Sequence, residues 1–139
     1  MTPSELECAL REGFPLARPE LYRVDEASPS TLRVSRRTDA VDLRPGGIIA
    51  GPVLMDLADT AAWLHTMARH GRGAGPSVTS DLAIHFLAPA RGELCAVCTH
   101  DVSSRTGERF TVRLHDAAGP VALAHVGYAL RREVPASDS

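Results

Sequence analysis

The chain has 139 residues, of which 44% are hydrophobic and 23% are charged, and its formal net charge is -2. This length and composition predict one soluble domain over residues 1–139, and the small charge gives no electrostatic reason to expect nucleic-acid binding. No apolar run is long enough to span a bilayer, and the first residues lack the order of a signal peptide. We therefore expect a cytoplasmic protein without a membrane partner.

The first part of the chain is predicted to contain a helix and a hairpin. Residues 2–13 have a helical pattern of leucines that ends at Gly13. Two alternating segments, 21–27 and 31–38, lie on either side of a Ser-Pro-Ser turn and predict a β-hairpin. Residues 39–47 are rich in turn-forming residues and are predicted to be a loop.

The next element is predicted to be one long buried helix from Pro52 to about His70. Pro52 suits the first helical position, because its missing N–H is not needed there, and Gly51 would then be the N-cap. Apolar residues cover nearly all sides of the first three turns, which is typical of a helix surrounded by other structure. Two carboxylates, Asp56 and Asp59, interrupt this apolar run and share one side of the helix.

Three or four strands are predicted after the helix. They are separated by turn-forming residues and span residues 77–87, 93–103, 109–115 and 121–131. Short connections of this kind favour an antiparallel meander. Because the long apolar helix needs a sheet curved around it, the predicted fold class is α+β. The core domain is expected to span about residues 20–132, and the polar residues 133–139 are expected to form a flexible tail.

The cysteines do not indicate a disulfide framework, because the chain has three of them. Cys95 and Cys98 have the spacing of half a zinc site, but residues three apart in a strand point to opposite faces. The six histidines are scattered without the spacing of metal ligands. We therefore favour core cysteines and expect no metal.

Two segments of the chain carry a resemblance to a known family. They are the run Gly47-Ile48-Ile49-Ala50-Gly51-Pro52-x-Leu54-x-x-Leu57-Ala58-Asp59-x-Ala61 and the run Val78-Thr79-x-x-Leu82-x-Ile84-x-Phe86-Leu87-x-Pro89-Ala90-x-Gly92. Both resemble the hotdog-fold acyl-CoA thioesterases, in particular the branch related to the phenylacetate-degradation (PaaI-like) thioesterase. The similarity extends from about residue 44 to residue 130. It implies a long central helix wrapped by a curved antiparallel sheet, here with a short N-terminal helix.

The resemblance also implies roles for individual residues. Asp59 falls where the family keeps its catalytic Asp or Glu, and Gly51 falls where a backbone N–H polarises the thioester carbonyl. Thr79 falls where related enzymes have a Ser or Thr near the attacking water. Two substrate-lining positions depart from the family, because Ala50 stands where it often has His and Arg44 where it often has Asn. No cofactor is implied, since CoA is part of the substrate.

Further residues are candidates for contact with the substrate. Asp56 is a candidate helper, although an ordinary first-turn carboxylate would look the same. Trp63 lies one turn beyond the catalytic carboxylate and could line an acyl pocket or simply pack. Arg44 could meet a substrate carboxylate or a CoA phosphate, or it could be a surface arginine. Arg105 and Arg109 flank a turn where similar proteins place basic residues near the nucleotide of CoA, but exposed hairpin charges would look the same.

The spacing of the two reacting groups requires a second chain. Asp59 lies eight residues beyond Gly51. The rise along the helix is therefore about 12 Å, whereas a reacting carbon must lie within about 3 Å of both groups. A short aspartate side chain cannot close that gap. We therefore predict at least a homodimer with antiparallel central helices, and the pairing of dimers into tetramers is left open.

Three functions follow, in order of preference. The first is hydrolysis of an acyl-CoA thioester, with Asp59 as base or nucleophile, Gly51 N–H as oxyanion donor and Thr79 as the group that positions water. The second is a hotdog protein that binds an acyl-CoA or related ligand without hydrolysing it, which Ala50 and Arg44 favour. A hydratase or dehydratase is third, because the paired Asp and His motif of such enzymes is not found.

Overall fold

The computed structural model describes residues 1–134. Helix α1 spans Pro3–Gly13 and helix α2 spans Gly51–His70. The strands are β1 (Tyr22–Ala27), β2 (Thr31–Arg36), β3 (Leu43–Arg44), β4 (Ile48–Ile49), β5 (Val78–Phe86), β6 (Leu94–Ser103), β7 (Gly107–Asp116) and β8 (Gly119–Ala129). Of the predicted flexible tail, residues 135–139 lie outside the described residues.

Six strands form one antiparallel sheet in the order β1-β2-β6-β7-β8-β5. The predicted β1–β2 hairpin is confirmed, and β6, β7 and β8 form a meander as predicted. The prediction is wrong for β5, which pairs with β8 and not with its neighbour in sequence, β6. Strand β6 already has β2 and β7 on its two sides, so the free side of β8 is where β5 can pair. Strand β5 is consequently an edge strand of the sheet.

Helix α2 packs against one face of this sheet. Its core-facing residues, such as Leu57, Ala61 and Leu64, are fully buried between the helix and the strands. A long helix covered by a six-stranded antiparallel sheet, with a short N-terminal helix, is the predicted α+β hotdog architecture. Cys98 lies in the core and Cys95 is partly exposed, on the opposite side of β6. No helix within residues 1–134 is long and apolar enough to cross a membrane.

The start of α2 differs by one residue from the prediction. Ala50 is the N-cap, with extended backbone angles (φ -64°, ψ 142°), and Gly51 is the first helical residue. Glycine is a better N-cap than alanine, which is why the sequence favoured Gly51 for that position. The correction leaves Gly51 among the first four residues of the helix, whose N–H groups have no intrahelical acceptor.

Candidate functional site

The loop that precedes α2 is a tight hairpin built on two glycines. Strands β3 and β4 pair in antiparallel orientation, and Gly47 N–H donates to the Arg44 carbonyl at 3.1 Å. Gly46 and Gly47 have φ values of 91° and 74°, in the left-handed region that other residues rarely adopt. The turn therefore depends on both glycines, and it sets where Arg44 lies relative to the start of the helix.

A buried ion pair anchors this loop to the sheet. Asp42 and Arg36 are each 3% exposed, and two guanidinium nitrogens of Arg36 donate to the Asp42 carboxylate at 3.1 and 3.2 Å. Burial disfavours the ionised carboxylate, but the Arg36 guanidinium and the Asp39 N–H outweigh it and lower the pKa of Asp42. The Asp42 carbonyl accepts the N–H of Ala50 at 2.9 Å. The pair therefore fixes the N-cap of α2.

The first turn of α2 borders an apolar cavity of about 530 Å³. Its lining comprises Arg44, Ile48, Ile49, Gly51, Leu54, Phe86, Leu87, Ala88, Pro89 and Ala90. The cavity thus brings together two of the predicted site residues, Gly51 and Arg44. The N–H of Gly51 has no acceptor among the described residues. The Phe86 ring lies against Gly51, since a Cβ atom there would be 3.3 Å from Phe86 Cζ.

Two hydroxyl groups from the sheet hold the carboxylate of Asp59. Thr79 Oγ1 donates to Asp59 Oδ1 at 2.6 Å, and Tyr128 Oη donates to the same oxygen at 2.8 Å. Burial, and then the negative charge of Asp59, raise the pKa of Tyr128 far above its usual range. The phenol therefore keeps its proton and acts as a donor. Within residues 1–134, no group donates to the second carboxylate oxygen, Oδ2.

A β-bulge directs Thr79 towards the helix. Thr79 pairs with Tyr128 and Asp81 pairs with the preceding residue of β8, so Ser80 is an extra residue in β5. Thr79 and Leu82 are three apart and would face opposite sides of a regular strand. The bulge lets both face α2, while Ser80 and Asp81 face away from it. The bulge therefore makes the contact between Thr79 and Asp59 possible.

The second carboxylate of α2 also meets a tyrosine. Tyr22 Oη donates to Asp56 Oδ2 at 3.2 Å. Partial loss of hydration and the nearby Asp59 charge raise the pKa of Asp56 above its usual range. Burial, and then the Asp56 charge, raise the pKa of Tyr22 to about 12. Asp56 therefore receives one hydroxyl, from β1, whereas Asp59 receives two, from β5 and β8 at the other end of the sheet.

Trp63 lies away from the cavity beside Gly51. Its Nε1 donates to the Gly75 carbonyl at 2.8 Å, and its ring stands edge-on to the Phe14 ring at a centroid distance of 4.7 Å. Gly13 at the end of α1 also lies against the indole ring. The contacts of Trp63 are therefore those of a packing residue between α2 and α1.

Arg109 lies on the side of the sheet that faces away from α2, and Arg105 lies in the β6–β7 turn. The Arg109 guanidinium donates to both carboxylate oxygens of Asp81, at 2.9 and 2.6 Å. The ion pair passes over Gly127 of β8, which lies between β5 and β7. A Cβ atom at Gly127 would be 2.2 Å from Asp81 Oδ1, so the pair in this position requires glycine there. Arg105 is exposed in the turn between the two strands. Neither arginine reaches the cavity beside Gly51.

A separate polar cluster closes the C-terminal end of α2. Glu108 is 2% exposed and accepts from Arg69 Nε at 3.1 Å, His100 Nε2 at 2.7 Å and Ser103 Oγ at 2.5 Å. His70 Nε2 also contacts this carboxylate. Burial opposes ionisation of Glu108, but the hydrogen bonds from these neighbours outweigh it and lower its pKa to about 2. None of the predicted site residues belongs to this cluster.

Sequence reasoning missed Tyr128, although its position contained a signal. Val126 and Ala124 precede it at intervals of two in β8, so the alternation places Tyr128 on the buried face. A buried tyrosine needs a partner for its hydroxyl. The same alternation in β2 places Arg36 after Leu32 and Val34 on the buried face, where a cation needs an acid.

Comparison of the sequence with protein families gives one match. Residues 46–122 match the family model of the thioesterase superfamily, which is more than half of the chain. A search of curated proteins found no match.

Several solved structures with this fold have thioesterase names. Zebra fish thioesterase superfamily member 2 has a TM-score of 0.81 and 21% identity, over 94% of this chain and 99% of that one. A mutant thioesterase from Pseudomonas aeruginosa has a TM-score of 0.80 and 18% identity, over 96% of both chains. A hypothetical thioesterase protein with coenzyme A from Streptococcus pneumoniae has a TM-score of 0.76 and 17% identity, over 95% of this chain and 98% of that one. At these identities the likeness concerns the fold.

Proposed function

The chain belongs to the thioesterase superfamily, and from that membership we propose that it hydrolyses an acyl-CoA thioester to a free acid and CoA. The observation that carries this proposal is the Asp59 carboxylate, which is held through Oδ1 by Thr79 and Tyr128 and has Oδ2 without a donor among the described residues. A carboxylate fixed in this way can act on a substrate at its second oxygen.

Hydrolysis needs a group that promotes attack on the thioester carbonyl. With Asp59 as base, Oδ2 takes a proton from water while the water oxygen bonds to the carbonyl carbon. The tetrahedral intermediate then collapses, the C–S bond breaks, and the CoA thiolate leaves and regains a proton from Asp59. With Asp59 as nucleophile, Oδ2 bonds to the carbonyl carbon, the C–S bond breaks, and the CoA thiolate leaves behind a mixed anhydride. Water hydrolyses the anhydride to the free acid and Asp59, and its proton converts the thiolate to the CoA thiol. Neither route needs a cofactor.

The oxyanion of this reaction needs a donor, and Gly51 supplies one. Its N–H is free of protein acceptors in the described residues and lies at the N-terminus of a 20-residue helix. The helix dipole places a partial positive charge at that end. Such a donor stabilises negative charge as it develops on the carbonyl oxygen.

The position of β5 supports the proposed homodimer. Near its start, Thr79 bonds Asp59, and at its end, Phe86 lies against Gly51. One strand therefore links both half-sites of a chain, and its outer edge is unpaired in the six-stranded sheet. If the β5 strands of two chains pair antiparallel about a twofold axis, the Thr79 end of one meets the Phe86 end of the other. Asp59 of one chain then approaches Gly51 of the other.

Exposed apolar side chains support the same pairing. Met55 on α2 and Val78, Phe86 and Leu87 along or after β5 are all exposed in the single chain. Exposed apolar residues along an unpaired strand edge are typical of an interface. The proposed dimer covers this surface and completes the site, and pairing of dimers into a tetramer remains a further proposal.

The proposed substrate class rests on the apolar cavity beside Gly51 and on Arg44 in its lining. An apolar cavity of about 530 Å³ beside Gly51 suits an acyl group, and Arg44 in its lining can meet an anionic group of the substrate. The coenzyme A in the Streptococcus pneumoniae structure supports CoA as the carrier. Arg105 stays a candidate for the CoA phosphates, whereas the Arg109 charge is already paired with Asp81. We also propose, from the two signature segments of the sequence, that the chain belongs to the phenylacetate-related branch.

Thiol release from a panel of acyl-CoA esters tests this function. Replacing the carboxylate with an amide in Asp59→Asn should lower kcat/KM by about 100- to 10,000-fold, the usual range for loss of a general base. Asp101→Asn is the matched control, because Asp101 accepts from Thr111 Oγ1 at 2.6 Å on the far side of the sheet. If wild type releases thiol no faster than Asp59→Asn on every ester and still binds CoA, the chain is a binding protein instead.

Mixing two defective chains tests the shared site. Gly51→Val and Asp59→Asn homodimers should each be nearly inactive, because both sites of each dimer lack one group. Random exchange gives half heterodimers with one intact site each, so the mixture should recover about a quarter of wild-type activity. Native mass spectrometry confirms exchange. Activity that stays at the level of the parents, after exchange is confirmed, would count against the composite site.

A further inference from the structure

The two carboxylate oxygens of Asp59 have different surroundings. Oδ1 accepts from Thr79 Oγ1 at 2.6 Å and from Tyr128 Oη at 2.8 Å, whereas Oδ2 has no donor in the described part of the chain. Tyr128 Oη also lies 3.1 Å from the Asp59 carbonyl oxygen. One phenol therefore ties both the backbone and the side chain of this residue to β8.

We propose that Tyr128 is a positioning residue, which with Thr79 fixes Oδ1 to the sheet and makes Oδ2 the oxygen that takes the proton or attacks the substrate. This inference rests on the proposed thioester hydrolysis. Tyr128 does not touch the reacting atoms and acts through Asp59.

The support for Tyr128 is rigid. It is 5% exposed and lies in β8, which pairs with β7 on one side and β5 on the other. Thr79 is its direct partner across the β5–β8 pair. The two hydroxyls thus come from adjacent positions of a paired ladder and meet at one oxygen. Rotation of the carboxylate about its Cβ–Cγ bond would break both hydrogen bonds, so the orientation of Oδ2 is set by the sheet.

This arrangement also gives Thr79 a defined role. Its proton is engaged at Asp59 Oδ1, so its oxygen can still accept a hydrogen bond. A water molecule that donates one proton to Oδ2 can donate its other proton to Thr79 Oγ1. Both acceptors lie on the same aspartate–threonine pair, which leaves a lone pair of the water for attack on the carbonyl carbon.

The second carboxylate of the helix offers a natural control. Tyr22 Oη donates to Asp56 at 3.2 Å, and no second hydroxyl within residues 1–134 donates to that carboxylate. Tyr22 is buried as Tyr128 is. Tyr22→Phe and Tyr128→Phe therefore each remove one buried phenol oxygen. The first leaves the Asp56 carboxylate without its tyrosine hydrogen bond, and the second does the same to Asp59.

The kinetic test compares Tyr128→Phe with Tyr22→Phe in the homodimer. Tyr128→Phe should lower kcat about tenfold with KM within about twofold, because a hydrogen bond to a charged group is lost while substrate contacts stay. Tyr22→Phe should change kcat by less than about twofold. In an Asp59→Asn background, Tyr128→Phe should cause no further loss, since it acts through Asp59. Equal effects of the two phenylalanine variants, or a full additional loss in the Asp59→Asn background, would overturn the proposal.

Two further measurements separate positioning from folding and from activity. Thr79→Ser should retain much more of the wild-type kcat than Thr79→Val, because serine retains the hydroxyl that bonds Asp59. The two hydrogen bonds at Oδ1 also restrain rotation about the Asp59 Cα–Cβ bond, which three-bond couplings from the backbone nitrogen and carbonyl carbon to Cγ report. These couplings should indicate one rotamer in wild type and averaged values in the Tyr128→Phe/Thr79→Val double variant. This readout stands even if no thioester is hydrolysed, so it distinguishes failure of the positioning role from failure of the proposed function. A single Asp59 rotamer in the double variant would refute the role of Tyr128.

Discussion

The two ends of α2 differ in how their polar groups are paired. At the C-terminal end, the buried Glu108 carboxylate receives hydrogen bonds from Arg69, His100 and Ser103 and contacts His70. At the N-terminal end, Gly51 N–H has no acceptor among the described residues and borders an apolar cavity. A cluster that satisfies its own polar groups stabilises the fold, whereas a group left without a partner can bind a ligand.

Asp59 combines both conditions in one side chain. Its Oδ1 is satisfied by Thr79 and Tyr128, as Glu108 is by its neighbours, while Oδ2 is open in the described structure, as Gly51 N–H is. The comparison therefore predicts that variants at the C-terminal end change stability and that variants at the N-terminal end change activity.

The largest effect is expected for Glu108→Gln. The amide leaves Arg69 without its buried counter-ion, so the free energy of unfolding should fall by about 3 kcal/mol, while kcat of the folded protein stays unchanged. Urea denaturation and thiol-release assays measure the two quantities. Glu12→Gln is the control, because its ion pair with Arg72 is exposed and should matter far less. Equal losses of stability in both variants would show that the cluster is not an anchor.

The next effect is expected at the opposite end of the helix. Gly51→Val places a Cβ atom 3.3 Å from Phe86 Cζ and covers the oxyanion donor, so kcat should fall about 100-fold, or about 2.7 kcal/mol in activation free energy. Gly73→Val is the matched control beyond the C-terminal end, because a Cβ atom there meets nothing within 4 Å. A similar loss in both variants would contradict a special role for the N-terminus.

A smaller effect is expected for Arg44→Gln. If Arg44 meets a carboxylate on the acyl group, KM for succinyl-CoA should rise about tenfold and KM for butyryl-CoA should stay unchanged. Arg105→Gln provides the contrast, since loss of a phosphate contact should affect both esters equally. Equal changes for both esters in Arg44→Gln would assign Arg44 to the CoA phosphates instead.

The last expected effect is a pH dependence of stability from Glu108. Its pKa is lowered from 4.5 to about 2 in the folded protein. The stabilisation is therefore present above the unfolded value and is lost as the pH falls from about 4.5 towards about 2. Urea denaturation over this range should show a steeper loss for wild type than for Glu108→Gln. Parallel pH profiles would mean that another group accounts for the acid sensitivity.

Local patterns in the sequence predict the helices and strands well, but they do not predict which strands pair in the sheet. Leucine spacing and Gly13 predict α1, and alternation predicts the β1–β2 hairpin, because both depend on residues close in sequence. The edge position of β5 depends on which strands already flank β6, and local periodicity contains no information on that. The sequence around Trp63 suits an acyl pocket and a packed core equally, and only its contacts with Phe14 and Gly75 distinguish the two.

The same limit applies to the candidate site. Asp59, Thr79 and Gly51 were predicted from a resemblance in two contiguous segments, and the structure brings Asp59 and Thr79 together. Tyr128 lies 69 residues from Asp59 in the chain, outside both segments. Its inward direction could be read from alternation, but its partner could not, because pairing across the sheet decides it.

The single extra residue at Ser80 has a consequence for reading the sequences of related proteins. If β5 kept Ser80 but lost the bulge, regular alternation would put Thr79 and Leu82 on opposite faces and turn the hydroxyl of Thr79 away from α2, although every functional residue would still be present. A related chain without the bulge would need its hydroxyl residue one position closer to the residue that corresponds to Leu82 to reach the same carboxylate. The spacing of carboxylate and hydroxyl along a sequence is therefore meaningful only together with the strand register between them.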